Sequence, residues 1–139
     1  MTQTQPDGSP SFYGLGIAPK LLEAIDKAKL TTPTPIQQQA IPAAIQGQDV
    51  IGIAQTGTGK TFAFGIPMIQ RIAQTKGIGL VIVPTRELAL QVDENLQKVG
   101  KFLQLRTAVL IGGANMGMQI RALKRLPHII VATPGRLID

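Results

Sequence analysis

A chain of 139 residues is long enough for one domain with a hydrophobic core, and its 44% hydrophobic and 16% charged residues exclude an intrinsically disordered protein. The absence of cysteine excludes disulfides and thiolate metal sites, and no apolar run reaches the length of a membrane span. The net charge of +6 is uneven, because residues 95–138 hold seven basic side chains and no acidic one. This favours a polyanionic partner such as nucleic acid, a solvated basic face being the alternative.

The start of the chain is polar and contains Pro, Gly and Ser, which predicts a mobile tail over residues 1–10 and one domain over residues 11–139. The tail has no cationic segment followed by an apolar one, so it does not resemble a signal peptide. We therefore expect a protein of the cytoplasm that makes no membrane contact.

Two helices are expected first. Apolar residues at helical spacing predict one over Pro19–Lys29. The second begins at about Ile36, is kinked or restarted at Pro42, and ends at Gly47, because proline lacks a main-chain donor and glycine tolerates a left-handed conformation.

Short apolar runs then alternate with amphipathic segments. Strands that are apolar throughout and alternate with helices predict an α/β fold with a parallel sheet flanked by helices. The loops that follow such strands share the sheet edge where ligands bind. The predicted strands are 49–54, 79–83, 106–111 and 128–132, and the helices between them are about 61–73, 84–102 (with Leu88, Val92, Leu96 and Val99 on one face) and about 118–126.

The loop after the first predicted strand, AQTGTGKT, has the composition of a phosphate-binding loop. Gly57 and Gly59 let main-chain N–H groups approach phosphate oxygens, Lys60 supplies a charge for the β- and γ-phosphates, and Thr61 offers a hydroxyl to Mg²⁺. Ala54 replaces the first glycine of the usual pattern. We expect a nucleoside triphosphate here, with Lys60 and Thr61 serving its hydrolysis; a glycine-rich turn that happens to precede Lys-Thr is the alternative.

Gln37 lies upstream in TPTPIQ, on a rigid turn built by two prolines. Its amide offers a donor and an acceptor that match the N6 and N7 edge of adenine, whereas guanine would lose half of the contact. An ordinary solvated helix residue is the alternative.

The loops PTRE and TPGR each place a threonine and an arginine at the start of a helix, namely Thr85 with Arg86 and Thr133 with Arg136. A hydroxyl, free N–H groups and a guanidinium together bind phosphodiesters, and Gly112–Gly113 lets a strand approach closely. Ordinary helix caps beside surface arginines are the alternative. Because the chain has four Phe, one Tyr and no Trp, we expect contacts to the nucleic-acid backbone and little sequence specificity.

In this order and spacing, TPTPIQ, AQTGTGKT, PTRELA, GG and TPGR resemble the first half of the first RecA-like domain of DEAD-box ATP-dependent RNA helicases, over about Phe12 to Asp139. The resemblance implies a partial RecA-like P-loop NTPase domain, with a glutamine motif over residues 12–38 and a P-loop over residues 54–61. It also implies ATP with Mg²⁺ as cofactors and RNA as partner. Ala54 is normal for the loop of this family.

The resemblance also implies roles for individual residues. Leu30 stands where the family commonly has an aromatic residue that stacks on adenine, which implies weaker nucleotide binding. The implied nucleotide-binding residues are Phe12, Leu30, Pro35, Gln37, Ala54, Gln55, Thr56, Gly57, Thr58, Gly59, Lys60 and Thr61, with Thr61 also a Mg²⁺ ligand. The implied RNA-binding residues are Pro84, Thr85, Arg86, Glu87, Gly112, Gly113, Thr133, Pro134, Gly135 and Arg136.

Hydrolysis also requires a carboxylate at a strand end, and none of the four predicted strands has one. The Asp-Glu-Ala-Asp box, the Ser-Ala-Thr motif and the second RecA-like domain of the family are expected beyond residue 139. We therefore expect these residues to bind ATP and the RNA backbone without efficient turnover, and to self-associate through unpaired sheet edges. The alternatives are a stand-alone, non-catalytic nucleotide- or RNA-binding module and a P-loop NTPase of another kind.

Overall fold

A computed structural model describes residues 4–5, 8, 10–53, 59–113 and 115–138 of the chain. The chain divides into two compact units, Met1–Gln74 and Thr75–Asp139. The first unit is helical, and the second is a small parallel sheet with helices. Parts of two predictions lie outside the described residues, namely most of the tail and residues 54–58 of the P-loop.

The first unit contains helices where the sequence predicts them: α1 (Pro19–Lys27), α2 (Pro35–Ile45) and α3, which extends to the unit boundary (Gly59–Thr75). Helix α1 ends two residues before its predicted end. Lys29 adopts a left-handed φ of 63°, and the N–H of Leu30 turns back to the carbonyl of Ile25 at 3.1 Å. This reversal satisfies a terminal carbonyl that the helix itself leaves free.

Helix α2 begins at Pro35 and runs through Pro42 as one element, so of the two predicted outcomes the restart is wrong and the kink stays a prediction. A proline inside a helix removes one N–H bond, but a single lost bond does not break a helix whose flanking turns are packed. Gly47, with φ of 87°, ends the helix as predicted.

The strand predicted over residues 49–54 is wrong for the described residues, 49–53. They form no strand, and Ile51 and Ile53 are 96% and 92% exposed. An apolar run becomes a buried strand only when neighbouring strands and covering helices are supplied by other segments. The described chain forms its sheet from three later strands, so this segment stays unpaired.

Of the predicted tail, the structure describes Thr4, Gln5, Gly8 and Pro10. The Gln5 side-chain amide donates to the carbonyls of Pro10 and Thr31, both at 2.8 Å. The mobility of residues 1–10 stays a prediction.

A buried glutamine holds the segment before α1 against α3. Gln70 accepts a hydrogen bond from the N–H of Ala18 at 2.8 Å and donates one to the carbonyl of Gly16 at 3.2 Å. Gln70 itself is 7% exposed, and both ends of its buried amide are paired with main-chain groups. The core of the unit includes Phe12, Leu15, Ile17, Leu21, Ala24, Ile25, Ala40, Ile41, Phe62, Ala63, Ile66, Ile69 and Ile72.

Three of the four predicted strands are confirmed in the second unit: β1 (Gly79–Ile82), β2 (Thr107–Leu110) and β3 (Ile129–Ala132). They form a parallel sheet in the order β1-β3-β2, with Gly79 and Thr107 both paired to Ile129. The α/β class and the parallel sheet with flanking helices are therefore confirmed. At β1 the inward Val81 is buried, whereas Leu80 and Ile82 are 47% and 54% exposed.

The helices of this unit are α4 (Arg86–Gly100), followed by a short 3₁₀ turn over Lys101–Leu103, α5 (Met116–Lys124) and α6 (Pro134–Ile138). Of the predicted apolar face of α4, Val92, Leu96 and Val99 are buried, whereas Leu88 is 37% exposed. Leu88 lies in the first turn of the helix. Ala89 is buried instead.

Helix α5 starts two residues before the predicted Met118. The side-chain oxygen of Asn115 accepts the N–H of Met118 at 3.1 Å and caps the helix there. Within the residues that the structure describes, no helix is long and apolar enough to span a membrane.

Candidate functional site

The proline turn before α2 is closed by a reciprocal pair of hydrogen bonds. The Thr34 hydroxyl accepts the N–H of Gln37 at 3.4 Å, and the Gln37 side-chain oxygen accepts the N–H of Thr34 at 2.9 Å. Pro35 occupies the first helical position, where its missing N–H costs nothing. TPTPIQ therefore folds as a capping box whose glutamine has one defined orientation.

The other end of the Gln37 amide reaches the start of α3. Its nitrogen donates to the carbonyl of Gly59 at 3.2 Å, and the residue is 4% exposed. The approach is close, because a Cβ added to Gly59 would lie 2.9 Å from the Thr34 hydroxyl. Gln37 is thus not a solvated helix residue. It connects the proline turn to the last part of the glycine-rich loop, a partner that sequence reasoning missed because it considered only a ligand.

The start of α3 carries the two residues predicted to handle phosphate. Lys60 is exposed, whereas Thr61 is 8% exposed. Ala54, Gln55, Thr56, Gly57 and Thr58 lie outside the described residues. The described part of the chain contains no cluster of three His, Cys, Asp or Glu side chains that could hold a metal. From this stretch Thr61 offers one hydroxyl oxygen, so a Mg²⁺ ion would need oxygens that the nucleotide itself carries.

Phe12 and Leu30, predicted from the resemblance to lie near the base, line the same depression in the first unit. Its cavity volume is about 20 Å³, and its other lining residues are Ser11, Tyr13, Leu22, Ile25, Asp26 and Thr31. Phe12 is 4% exposed and so supports the floor, whereas Leu30 is half-buried. The volume is below the range of about 300–1,000 Å³ typical of ligand pockets.

In the second unit, the loops after all three strands emerge at the carboxyl edge of the sheet, and two of the predicted segments meet there. A Cβ added to Gly113 would lie 2.5 Å from an Arg86 guanidinium nitrogen, and Gly113 has φ of 79°. The absence of a side chain at Gly113 therefore leaves room for Arg86. A guanidinium beside free main-chain groups is a common phosphate-binding arrangement.

The third segment joins through Arg136. Its Nε donates to the carbonyl of Ile111 at 3.0 Å, and its Nη1 lies 3.5 Å from the Met116 sulfur. Ile111 directly precedes Gly112–Gly113, so the arginine of TPGR is attached to the glycine segment. The structure brings together Arg86, Gly113 and Arg136 along one edge of this unit.

The remaining predicted RNA contacts lie at the starts of α4 and α6. The Thr85 hydroxyl accepts the N–H of Leu88 at 3.2 Å and caps α4, as predicted. At α6, the Thr133 carbonyl accepts the N–H of Leu137 at 3.1 Å. Pro84, Glu87, Pro134 and Gly135 are exposed.

Replacing Gly113 with alanine should destabilise the second unit by about 1–2 kcal/mol, because a side chain at positive φ is strained and would overlap Arg86. Thermal unfolding would measure the change. Gly112→Ala is the matched control, since a Cβ at Gly112 meets nothing within 4 Å. Equal melting temperatures for the two variants would contradict this prediction, because neither the positive φ nor the overlap with Arg86 would then lower stability.

The comparisons with known proteins agree on one family. A model described as DEAD/DEAH box helicase matches residues 34–139. The chain is 53% identical over 131 residues to the ATP-dependent rRNA helicase RRP3 of Debaryomyces hansenii, and it covers 28% of that relative. It is 47% identical over 144 residues to RRP3 of Candida albicans and covers 27% of it. The chain thus spans less than a third of the length of these curated relatives.

Solved structures give the same result. The RNA helicase Prp28 of Chaetomium thermophilum, bound to ADP, is similar with a TM-score of 0.83 and 39% identity over 93% of this chain and 33% of that one. The DEAD-box helicase Mss116, bound to single-stranded RNA and UDP-BeF, is similar with a TM-score of 0.81 and 37% identity over 91% of this chain and 27% of that one.

Proposed function

Because the chain belongs to the DEAD/DEAH box helicase family, we propose that it is the ATP-binding portion of an ATP-dependent RNA helicase. In the whole protein, ATP binding and hydrolysis would be coupled to unwinding of RNA duplexes or remodelling of RNA–protein complexes. A second RecA-like domain would supply the other half of the nucleotide cleft. The observation that carries the proposal is the direct bond between the glutamine of the proline turn and Gly59 of the glycine-rich loop.

The first unit is proposed to bind ATP. Its Lys60 is exposed at the start of α3, where the helix dipole also favours phosphate. Gln37 retains one amide hydrogen and one oxygen lone pair beyond its two bonds, which is the pair of groups that adenine requires. Phe12 and Leu30 would contribute apolar surface to the base.

Mg²⁺ is proposed to arrive with the nucleotide. Thr61 would contribute its hydroxyl, and phosphate oxygens and water would complete the shell that this small cation prefers. Bound Mg²⁺ supplies neutralisation of the charge that develops on the phosphates during transfer. Thr61 lies in the first turn of α3, so its main chain is held by the helix before the nucleotide binds.

The second unit is proposed to bind the sugar-phosphate backbone of RNA. Arg86 and Arg136 supply guanidinium donors, and Gly112–Gly113 lets the strand approach the main chain. Residues 95–138 carry seven basic side chains and no acidic one, so long-range attraction acts in the same direction. Phosphate contacts carry no sequence information, so recognition of a particular RNA would reside elsewhere in the parent protein.

This chain alone is proposed to bind ATP without efficient hydrolysis. Among the described residues, none of the three strands is followed directly by an Asp or Glu that could hold Mg²⁺ and orient the attacking water. The alternative is a stand-alone nucleotide- or RNA-binding module. In such a module the binding of ATP and the binding of RNA would not be coupled, so the addition of RNA would leave the affinity for ATP unchanged. Residence in the cytoplasm is part of the same proposal.

The 139-residue chain should self-associate, because segments that can pair as strands carry exposed apolar side chains. These side chains are Ile51 and Ile53 before the P-loop, and Leu80 and Ile82 on the edge strand β1. Sedimentation velocity over a concentration series should show dimers or larger species, and Ile82→Lys should weaken them. A single monomeric species throughout the series would contradict this prediction.

Binding measurements test the proposed function. A fluorescent ATP analogue should bind and be displaced by ATP more effectively than by GTP or UTP, and UTP is informative because Mss116 was solved with a uridine nucleotide. Labelled single-stranded RNA should bind with an affinity that falls steeply with salt. Equal displacement by the three nucleotides would contradict adenine selection by Gln37. Salt-independent RNA binding would contradict the proposed contacts to the RNA phosphates.

A further inference from the structure

A single main-chain carbonyl joins three segments of the second unit. The carbonyl oxygen of Ile111 accepts one hydrogen bond from the Arg136 Nε at 3.0 Å and another from the Gln119 side-chain nitrogen at 2.9 Å. A carbonyl oxygen has two lone pairs, so both bonds can be made together. The end of β2, helix α5 and helix α6 are thereby joined at one atom, next to Gly112–Gly113.

Gln119 occupies an unusual position on α5. It is 6% exposed and is the buried residue of the helix, whereas Met118 and Ile120 on either side are 62% and 44% exposed. The helix therefore turns a polar amide inward and apolar side chains outward, which is the reverse of ordinary amphipathic packing. Packing alone does not account for this choice of residue.

The glutamine is also incompletely satisfied. Its side-chain oxygen is buried and has no hydrogen-bond partner within the described part of the chain. A buried acceptor without a donor lowers stability, and an apolar residue of similar shape would avoid that cost. The remaining benefit of the amide is the bond that its nitrogen donates to Ile111.

The bond matters because of what else the Ile111 carbonyl holds. Two of the five N–H groups of Arg136 point to Ile111 and to the Met116 sulfur, which fixes the plane of the guanidinium and leaves three donors. A guanidinium held in one plane loses less freedom when it binds a phosphate in bidentate fashion. The carbonyl can hold the arginine only if it is itself fixed.

We propose that Gln119 is a positioning residue for RNA backbone binding: it fixes the Ile111 carbonyl as the acceptor to which Arg136 docks. Gln119 does not touch RNA, and its effect reaches the phosphate through Ile111 and Arg136. The inference rests on the proposed function, because it assumes that Arg136 binds a backbone phosphate.

Gln119→Met tests the proposal in the 139-residue chain, since methionine keeps the length and shape of the side chain and removes the donor. Anisotropy of a fluorescent single-stranded oligouridine should show about tenfold weaker binding. A plot of log affinity against log KCl concentration should become shallower. The magnitude of its slope should decrease by about 0.7, the value for one lost phosphate contact on a single strand. The melting temperature should stay the same or rise, because the unpaired oxygen is removed.

Two further variants make the result specific. Arg136→Lys keeps the charge but lacks the Nε–H that docks on Ile111, so it should show the same loss, and Gln119→Met should add nothing to it. Arg136 is only half-buried, so Arg136→Lys alone remains informative if Gln119→Met folds poorly. Gln91→Met, at an exposed position of α4, is the matched control and should leave binding and salt slope unchanged.

Wild-type affinity and slope in Gln119→Met, alongside a loss in Arg136→Lys, would overturn this inference and leave the proposed function intact. A lower melting temperature with an unchanged salt slope would also overturn it, because it would indicate a purely structural glutamine. Absence of salt-dependent RNA binding by the unmodified chain would overturn the proposed function and this inference with it.

Discussion

Gln37→Ala is expected to lower the free energy of unfolding by about 2 kcal/mol and to weaken ATP binding about tenfold or more. The side chain is 4% exposed and bonds to the Thr34 N–H and to the Gly59 carbonyl. Its removal takes a hydrogen-bond partner from each of these two partly buried main-chain groups. The capping box of α2 and its link to the start of α3 are lost together, so the phosphate-binding end of α3 is no longer fixed to the proline turn.

Denaturant unfolding and titration with a fluorescent ATP analogue would measure the two effects. Gln39→Ala is the matched control, because Gln39 lies on the same helix and is exposed. Gln37→Glu separates the two roles: a glutamate can still accept the Thr34 N–H in a capping box but cannot donate to Gly59. We expect Gln37→Glu to lose ATP affinity as Gln37→Ala does. Wild-type ATP affinity in both variants would rule out Gln37 as part of the nucleotide site.

Lys60→Ala is expected to weaken ATP binding about a hundredfold with little change in stability. A charge-assisted hydrogen bond to phosphate contributes up to about 3 kcal/mol, and Lys60 is exposed at the start of α3, so its removal creates no cavity. The effect should fall on binding of ATP and ADP and spare binding of RNA to the second unit.

Isothermal titration with MgATP would measure the loss, and Lys20→Ala would control for the change in net charge, because Lys20 is exposed on α1 in the same unit. Similar losses in the two variants would mean that general electrostatic attraction, not a local contact, brings the nucleotide to this unit. Retention of wild-type ATP affinity by Lys60→Ala would mean that the phosphates do not bind at the start of α3.

Local sequence chemistry predicts much of this fold. The strands at 79–82, 107–110 and 129–132 follow from short, fully apolar runs between turn signals, and their parallel pairing follows from the helices between them. The Thr85 hydroxyl caps α4, as its motif predicts. These features depend on neighbouring residues, and neighbouring residues are what a sequence displays.

Features that depend on distant partners were not predictable. The apolar run at 49–53 is typical of a strand, but a strand needs neighbours, and no segment of the described residues pairs with it. The Gln37–Gly59 hydrogen bond joins residues that are 22 positions apart in the sequence, so no local sequence pattern predicts it. The burial of Gln119 was not predictable either, because glutamine is mostly exposed in folded proteins, and its partner is a main-chain carbonyl eight residues away.

The most direct test of the account is the identity of the nucleotide that the chain retains. Radiolabelled ATP would be incubated with the 139-residue chain, Mg²⁺ and single-stranded RNA, and the bound fraction would be separated and analysed. The account predicts bound ATP that persists as ATP and is lost in Lys60→Ala. Accumulation of ADP that requires both RNA and Lys60 would contradict it, because it would mean that this chain contains a complete hydrolytic site.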